Sequence, residues 1–218
     1  MRGAVLDFDG VVARSMEQHA EAYRRILRPY GVDVEDEQVF VREGARSESI
    51  LRDLLSDNGQ EVDDEVILRL GDEKQRLFTG LGSPPLYDGA KAMVHRIRRA
   101  APRLGLVTGT RRENLDRLIP DLLPLFDAVL AQDAYGRDKP DPEPYAKAAE
   151  AVGLPPADLV ALENAPRGVQ SAKAAGYGRV VAIATTLPAR DLREAGADEV
   201  VVSHEDAAAA VVRWLRAP

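Results

Sequence analysis

The chain has 218 residues, 45% of them hydrophobic and 30% charged, which suits one large domain or one domain carrying an insertion. It contains no cysteine, so disulfide frameworks and thiolate chemistry are excluded, and no apolar run approaches the roughly 18 residues of a membrane span. The net charge of −7 is uneven: residues 15–87 hold 9 Lys and Arg against 16 Asp and Glu, while the remainder holds 20 of each, a balance that argues against nucleic acid as a partner. The N-terminal apolar run Ala4–Leu6 stops at Asp7, too soon for a signal peptide, and a reducing cytoplasm is the expected setting.

In chain order, Ala4–Leu6 reads as a short strand, followed by a stretch without strand character. Ser15-Met16-Glu17-Gln18 has the form of a capping box, and Met16, Ala20, Tyr23 and Leu27 mark one helical face that ends at Pro29 and Gly31. Ile50, Leu51, Leu54 and Leu55 mark a second helix, and Val62, Val66, Leu70 and Leu77 a third that Gly71 weakens. From Asp88 onward strands and helices alternate. Strands are expected at Leu104–Val107, Ala128–Ala131, Leu159–Leu162, Arg179–Ile183 and Glu199–Val202. Helices are expected from about Arg111, at Pro142–Val152, Pro166–Ala175, Ala189–Glu194 and His204–Leu215. The pattern predicts an α/β fold, a doubly wound parallel sheet with helices on both faces. A small all-helical domain over residues 15–82 is inserted after the first strand, between core segments 1–14 and 83–218. Its linkers would be Val12–Arg14 and Gly82–Pro85.

Chemistry concentrates at strand ends. In Asp7-Phe8-Asp9-Gly10-Val11 two carboxylates lie two residues apart, so both can face one site. Buried carboxylates repel unless a cation offsets them, and a nucleophilic Asp, an acid/base Asp and a magnesium ion would use this arrangement. An acidic strand-end turn is the plainer alternative. Thr108 ends a strand in Leu106-Val107-Thr108-Gly109-Thr110, where α/β proteins bind ligands. Its hydroxyl and the backbone amides after it can donate to a phosphoryl group. Thr110 with Glu113 forms a second capping box. Lys139 precedes Pro140 and is thereby stiffened, with Asp141 placed to cap the next helix. Glu163 and Asn164 follow another strand; both offer oxygen ligands suited to magnesium, while Asn164 is equally suited to be a helix N-cap.

Together, DFDGV at 7–11, TGT at 108–110, KPDPEPY at 139–145 and LENAPRGVQSAKAAG at 162–176 resemble, in order and spacing, the four motifs of the haloacid dehalogenase superfamily. The helical insert resembles the cap of its β-phosphoglucomutase and phosphoglycolate phosphatase branch. The resemblance implies Asp7 as nucleophile and Asp9 as acid and base. Thr108, Gly109 and Lys139 would hold the phosphoryl group. Mg2+ would bind Asp7, the Asp9 carbonyl and Asn164, with Glu163 beside it. The family usually has Asp at position 164, so one negative charge is missing here. His19, Glu43, Arg46 and Ser47 fall at cap positions that set specificity, although His19 and Arg46 read equally well as surface residues. The mutases of this branch carry basic residues where Glu43 and Ser47 stand, and a carboxylate there would repel a second phosphate.

These implications make the chain a magnesium-dependent phosphatase of a small phosphorylated metabolite, with a sugar phosphomutase as the alternative and a non-catalytic binding protein as the remaining class. Phosphonate cleavage, which needs a cap lysine, is set aside because Lys74, the insert's single lysine, lies far along the sequence from the first cap helix. Monomer and dimer stay open.

Overall fold

The computed structural model describes residues 1–217. Six strands form one sheet: β1 (Gly3–Leu6), β2 (Leu104–Val107), β3 (Ala128–Leu130), β4 (Leu159–Glu163), β5 (Arg179–Ile183) and β6 (Glu199–Val201). Their order is β3-β2-β1-β4-β5-β6 and every pairing is parallel. Because alternate strand residues point to opposite faces, one run of sequence feeds two cores. Ala4, Leu6, Leu104, Leu106, Val160, Leu162, Val181 and Ile183 face one side. Val5, Val107, Leu159, Ala161, Val180 and Ala182 face the other. Burial on both faces explains why these strands read as unbroken apolar runs.

Residues between β1 and β2 begin with four helices: α1 (Met16–Leu27), α2 (Asp36–Phe40), α3 (Ser47–Asp57) and α4 (Asp64–Gly80). They enclose an apolar cluster of their own, including Ala20, Tyr23, Leu51, Leu54, Leu55, Ile67 and Leu70. The sequence reading omits α2, and α4 runs through Gly71 without a break. The two linkers to the core lie side by side: Arg14 N donates to Pro85 O at 2.8 Å and Tyr87 N to Val12 O at 3.1 Å. A motion of the cap therefore bends both linkers together.

The core helices are α5 (Ala90–Ala100), α6 (Arg112–Leu118), α7 (Glu143–Val152), α8 (Pro166–Ala174), α9 (Ala189–Glu194) and α10 (His204–Arg216). Helix α5 is absent from the sequence reading, yet Ala90, Met93, Val94 and Ile97 are its buried stripe, spaced as an amphipathic helix requires. Its residues and those of α10 cover the first face of the sheet, and residues of α7 and α8 the second. The chain turns from β3 back to β4, which lies beside β1. A reversal of this kind opens a crevice at the carboxyl ends of the strands. The register pairs Leu6 with both Leu106 and Leu162, which brings the residues after β1, β2 and the end of β4 to one edge.

Candidate active site

Asp7 directly follows β1, and its amide extends the ladder by donating to Leu162 O at 2.9 Å. Its carboxylate meets the ammonium of Lys139, with Nζ 2.5 Å from Oδ1. The same Nζ lies 2.6 Å from Glu163 Oε1, which also accepts from the Tyr145 hydroxyl at 2.8 Å. Lys139 is only 1% exposed. Burial works against its charge, but Asp7 and Glu163 outdo that and keep it protonated. Burial pushes the Asp7 carboxyl up; Lys139 draws it down, and Glu163 and Asp9 raise it again, leaving it well above the usual range. A divalent cation against that carboxylate would reverse the shift. The Lys139–Pro140 peptide is cis.

Asp9 has a different environment. Its Oδ1 accepts from Ser15 Oγ at 2.5 Å and faces His19 Nε2 at 3.5 Å. Its Oδ2 accepts from Thr110 Oγ1 at 2.6 Å and Thr108 Oγ1 at 3.2 Å. Burial alone would raise this carboxyl, but the contacts from His19, Ser15 and Thr110 hold it well below the usual range. Neither expected capping box forms. Ser15 precedes α1 without capping it, and the residue before α6 is Arg111, not Thr110. Both hydroxyls serve Asp9 instead, because a buried carboxylate is the stronger acceptor partner. Thr108 is likewise turned to Asp9 while its Oγ1 accepts from Thr110 N at 3.0 Å. Gly109 lines the cavity beside it.

Glu163 divides its oxygens between Lys139 and Tyr145 on one side and the amides of Asn164 and Ala165, at 3.0 and 3.4 Å, on the other. Its position is that of an anchor for Lys139. Asn164 is fully buried and does not cap α8, whose N-cap is Ala165. Asn164 Nδ2 donates to Glu43 Oε2 at 2.8 Å and to Thr186 Oγ1 at 3.1 Å, and Oδ1 is buried without a partner. Asp141 does cap α7 from outside, accepting from Glu143 N at 2.9 Å.

The cap closes over these groups. Glu43, 5% exposed, descends from the loop between α2 and α3. Burial, then Asp7, Asp9 and Glu163, push its carboxyl well up. Gly44 has φ +90°, and a Cβ there would stand 2.8 Å from Lys139 Cδ, so only glycine lets the loop settle onto the lysine. Arg46 is a clasp between cap and core. Its guanidinium pairs with Asp138 at 3.0 Å and donates to the Tyr135 carbonyl, and its amide donates to Asp138 Oδ2 at 2.8 Å. Ser47 and His19 line the cavity.

Sequence reasoning missed Lys74. Its Nζ lies 2.7 Å from His19 Nδ1 and over the rings of Tyr23 and Phe78, so separation along the chain was the wrong ground for setting it aside. The readable signal was its place on the buried stripe Ile67, Leu70, Lys74 and Phe78 of α4. Burial pushes its ammonium down to about 8. As an ammonium it donates to Nδ1, leaving Nε2–H to face Asp9.

The cavity under the cap measures about 60 Å3 and is lined by Asp7, Asp9, His19, Glu43, Ser47 and Lys74 among others. That is room for about four to six waters, too little for a phosphorylated sugar unless the cap opens. Among the described residues no three acidic, histidine or cysteine side chains converge as a ready-made cation site. The Asp7 carboxylate together with the unpartnered Asn164 Oδ1 supplies the hard oxygen donors that fit magnesium. No helix of the described residues is long and apolar enough to cross a membrane.

Comparison with known proteins gives the same picture. A phosphorylated carbohydrates phosphatase of Thermotoga maritima is 31% identical over 217 residues, spanning 94% of this chain and 96% of its own. The β-phosphoglucomutase of Bacillus subtilis is 24% identical over 184 residues, spanning 81% of this chain and 80% of its own. A solved chain from Bacteroides vulgatus superposes with a TM-score of 0.89 at 26% identity, covering all of this chain and 91% of that one. The family model of haloacid dehalogenase-like hydrolases matches residues 1–176, a span that takes in all four strand-end motifs and the whole helical insert, and the chain belongs to that family, in its β-phosphoglucomutase-like branch.

Proposed function

We propose that this enzyme is a magnesium-dependent phosphatase that hydrolyses a small phosphorylated metabolite, a sugar phosphate or a phosphoglycolate-like monoester, in the cytoplasm. The observation that carries the reading is the pair of aspartates with opposite surroundings: Asp7 against the fixed ammonium of Lys139, and Asp9 ringed by hydroxyls and His19. Asp7 attacks phosphorus, a P–O bond to Asp7 forms, and the ester P–O bond breaks. Asp9 gives its proton to the departing alkoxide. It then takes a proton from the water that cleaves the aspartyl-phosphate, releasing inorganic phosphate and free Asp7. A dianionic phosphate beside Asp9 raises its pKa, which loads it with a proton for the first half. Its low resting pKa suits its recovery afterwards. Lys139 and Thr108 hold phosphoryl oxygens, Thr108 by rotating its hydroxyl from Asp9. Bound magnesium would supply charge neutralisation between Asp7 and the phosphoryl group, held by Asp7, the Asp9 carbonyl and Asn164.

A mutase remains the second reading because a β-phosphoglucomutase is among the relatives. Glu43 argues against it: an acidic side chain inside the closed site offers a second phosphate no positive charge to hold it. The deciding experiment offers a generic phosphate ester and a panel of sugar monophosphates with and without magnesium, beside β-glucose 1-phosphate primed with its bisphosphate. The expected result is magnesium-dependent release of phosphate from a monoester. Efficient conversion of β-glucose 1-phosphate to the 6-phosphate would promote the mutase.

A further inference from the structure

A carboxamide has two ends of nearly equal size, so its partners decide which end faces a given place. At Asn164 both partners accept a hydrogen bond from Nδ2: Glu43 Oε2 at 2.8 Å and the Thr186 hydroxyl oxygen at 3.1 Å. Oδ1 is then the end left buried and unpartnered. Thr186 belongs to the core just after β5, whereas Glu43 belongs to the cap. On the remaining side Gly10, at φ +71°, leaves space for the amide; a Cβ there would stand 1.9 Å from Nδ2. Glu43 Oε1 is a second buried oxygen without a partner. The two orphaned oxygens thus belong to residues joined by one hydrogen bond across the cap–core boundary. An aspartate at position 164 would need no such help, since both of its ends are oxygen. An asparagine does.

We propose that Glu43 is a positioning residue for the cation site: its carboxylate, delivered by cap closure, fixes the Asn164 amide with Oδ1 toward the metal. The inference rests on the magnesium reading above. Outer partners of this kind typically change metal affinity by about 10–100-fold. Opening the cap removes Glu43 and frees the amide to turn, so the cation is held best in the closed enzyme. By linkage, the cation must favour closure to the same degree. A glutamine at position 43 can offer either an acceptor or a donor to Asn164 and no longer enforces one orientation.

The test is calorimetric titration of the full-length protein with Mg2+, without substrate, on wild type, Glu43→Gln, Asn164→Asp and the double variant, with thermal melts to confirm folding. Glu43→Gln is expected to weaken binding about tenfold when introduced into wild type and to leave it unweakened when introduced into the Asn164→Asp variant. Hydrogen exchange of residues 41–46 should slow on adding Mg2+ to wild type and change little in Glu43→Gln. Unchanged Mg2+ affinity in folded Glu43→Gln would overturn the proposal while leaving the phosphatase reading intact. Equal weakening in both backgrounds would also overturn it, because a charge effect needs no oriented amide. Absence of Mg2+ binding to wild type would remove both the proposal and the magnesium reading.

Discussion

In the core, the reactive groups sit where parallel strands end. Asp7 follows β1, Thr108 follows β2 and Glu163 ends β4, all fixed by the pairing of Leu6 with Leu106 and Leu162. In the cap, Glu43, Arg46 and Ser47 come from a loop and a helix start, joined to the core through linkers whose backbones pair at Arg14 and Pro85. The backbones at the core strand ends are set by the sheet pairing alone. The cap groups hold their places in the site only while the cap is closed. On the phosphatase reading proposed above, bond breaking belongs to the strand ends, and the choice of substrate and exclusion of water belong to the cap.

That division is tested most severely at Asp7. Asp7→Asn removes the nucleophile, and turnover should fall by at least about 1,000-fold with a melting transition close to wild type; retained turnover would exclude Asp7 as the attacking group. Lys139→Ala is expected to damage fold and chemistry together. It leaves Asp7 and Glu163 buried without their shared cation, a loss of about 3–5 kcal/mol that a urea titration would register. Cap residues should do neither on that scale.

Lys74 crosses the divide, because it is a cap residue acting on a core aspartate through His19. Its folded pKa of about 8 lies below the ordinary value of 10.5. Between those values the unfolded chain binds more protons than the native one, so stability should rise with pH across that window. Activity should move the other way. Once Lys74 loses its proton, its hold on His19 Nδ1 weakens from a charge-assisted to a neutral hydrogen bond, and kcat should fall with an apparent pKa near 8. Lys74→Met should abolish that alkaline limb and lower kcat about tenfold. An unchanged pH–rate profile would sever the link between cap and Asp9.

The smallest effect is expected at Arg46. Its ion pair with Asp138 is partly exposed, and such pairs contribute about 1 kcal/mol or less. Arg46→Ala should raise KM roughly threefold with kcat nearly unchanged, since weakening a clasp removes binding felt equally before and during the chemical step.

Much of this was legible because it is local. Apolar runs of four or five residues ending in Asp, Thr or Glu announce buried parallel strands with polar ends, and β1, β2, β4 and β5 lie within a residue of where the runs place them. Helix α5 was passed over, although the spacing of Ala90, Met93, Val94 and Ile97 carries the same kind of local signal. What local pattern misjudged was the destination of hydroxyls. Ser15 and Thr110 sit in sequences shaped like capping boxes, and both bind Asp9 instead. A cap gains one neutral hydrogen bond, whereas a buried carboxylate left unsatisfied costs several times that. The competition is visible only once the carboxylate's position is known.

The sheet, the helical insert and the identity of the two aspartates are written in the order of the residues, because periodicity and strand-end chemistry are properties of neighbours. Three contacts are not: Glu163 braces Lys139, Lys74 reaches His19 across 55 residues, and Glu43 meets Asn164 across 121. Each depends on how elements far apart in the chain approach one another, whether within the core, within the cap or between the two. Chain spacing carries no trace of that approach, since buried charge selects its partner by distance in space.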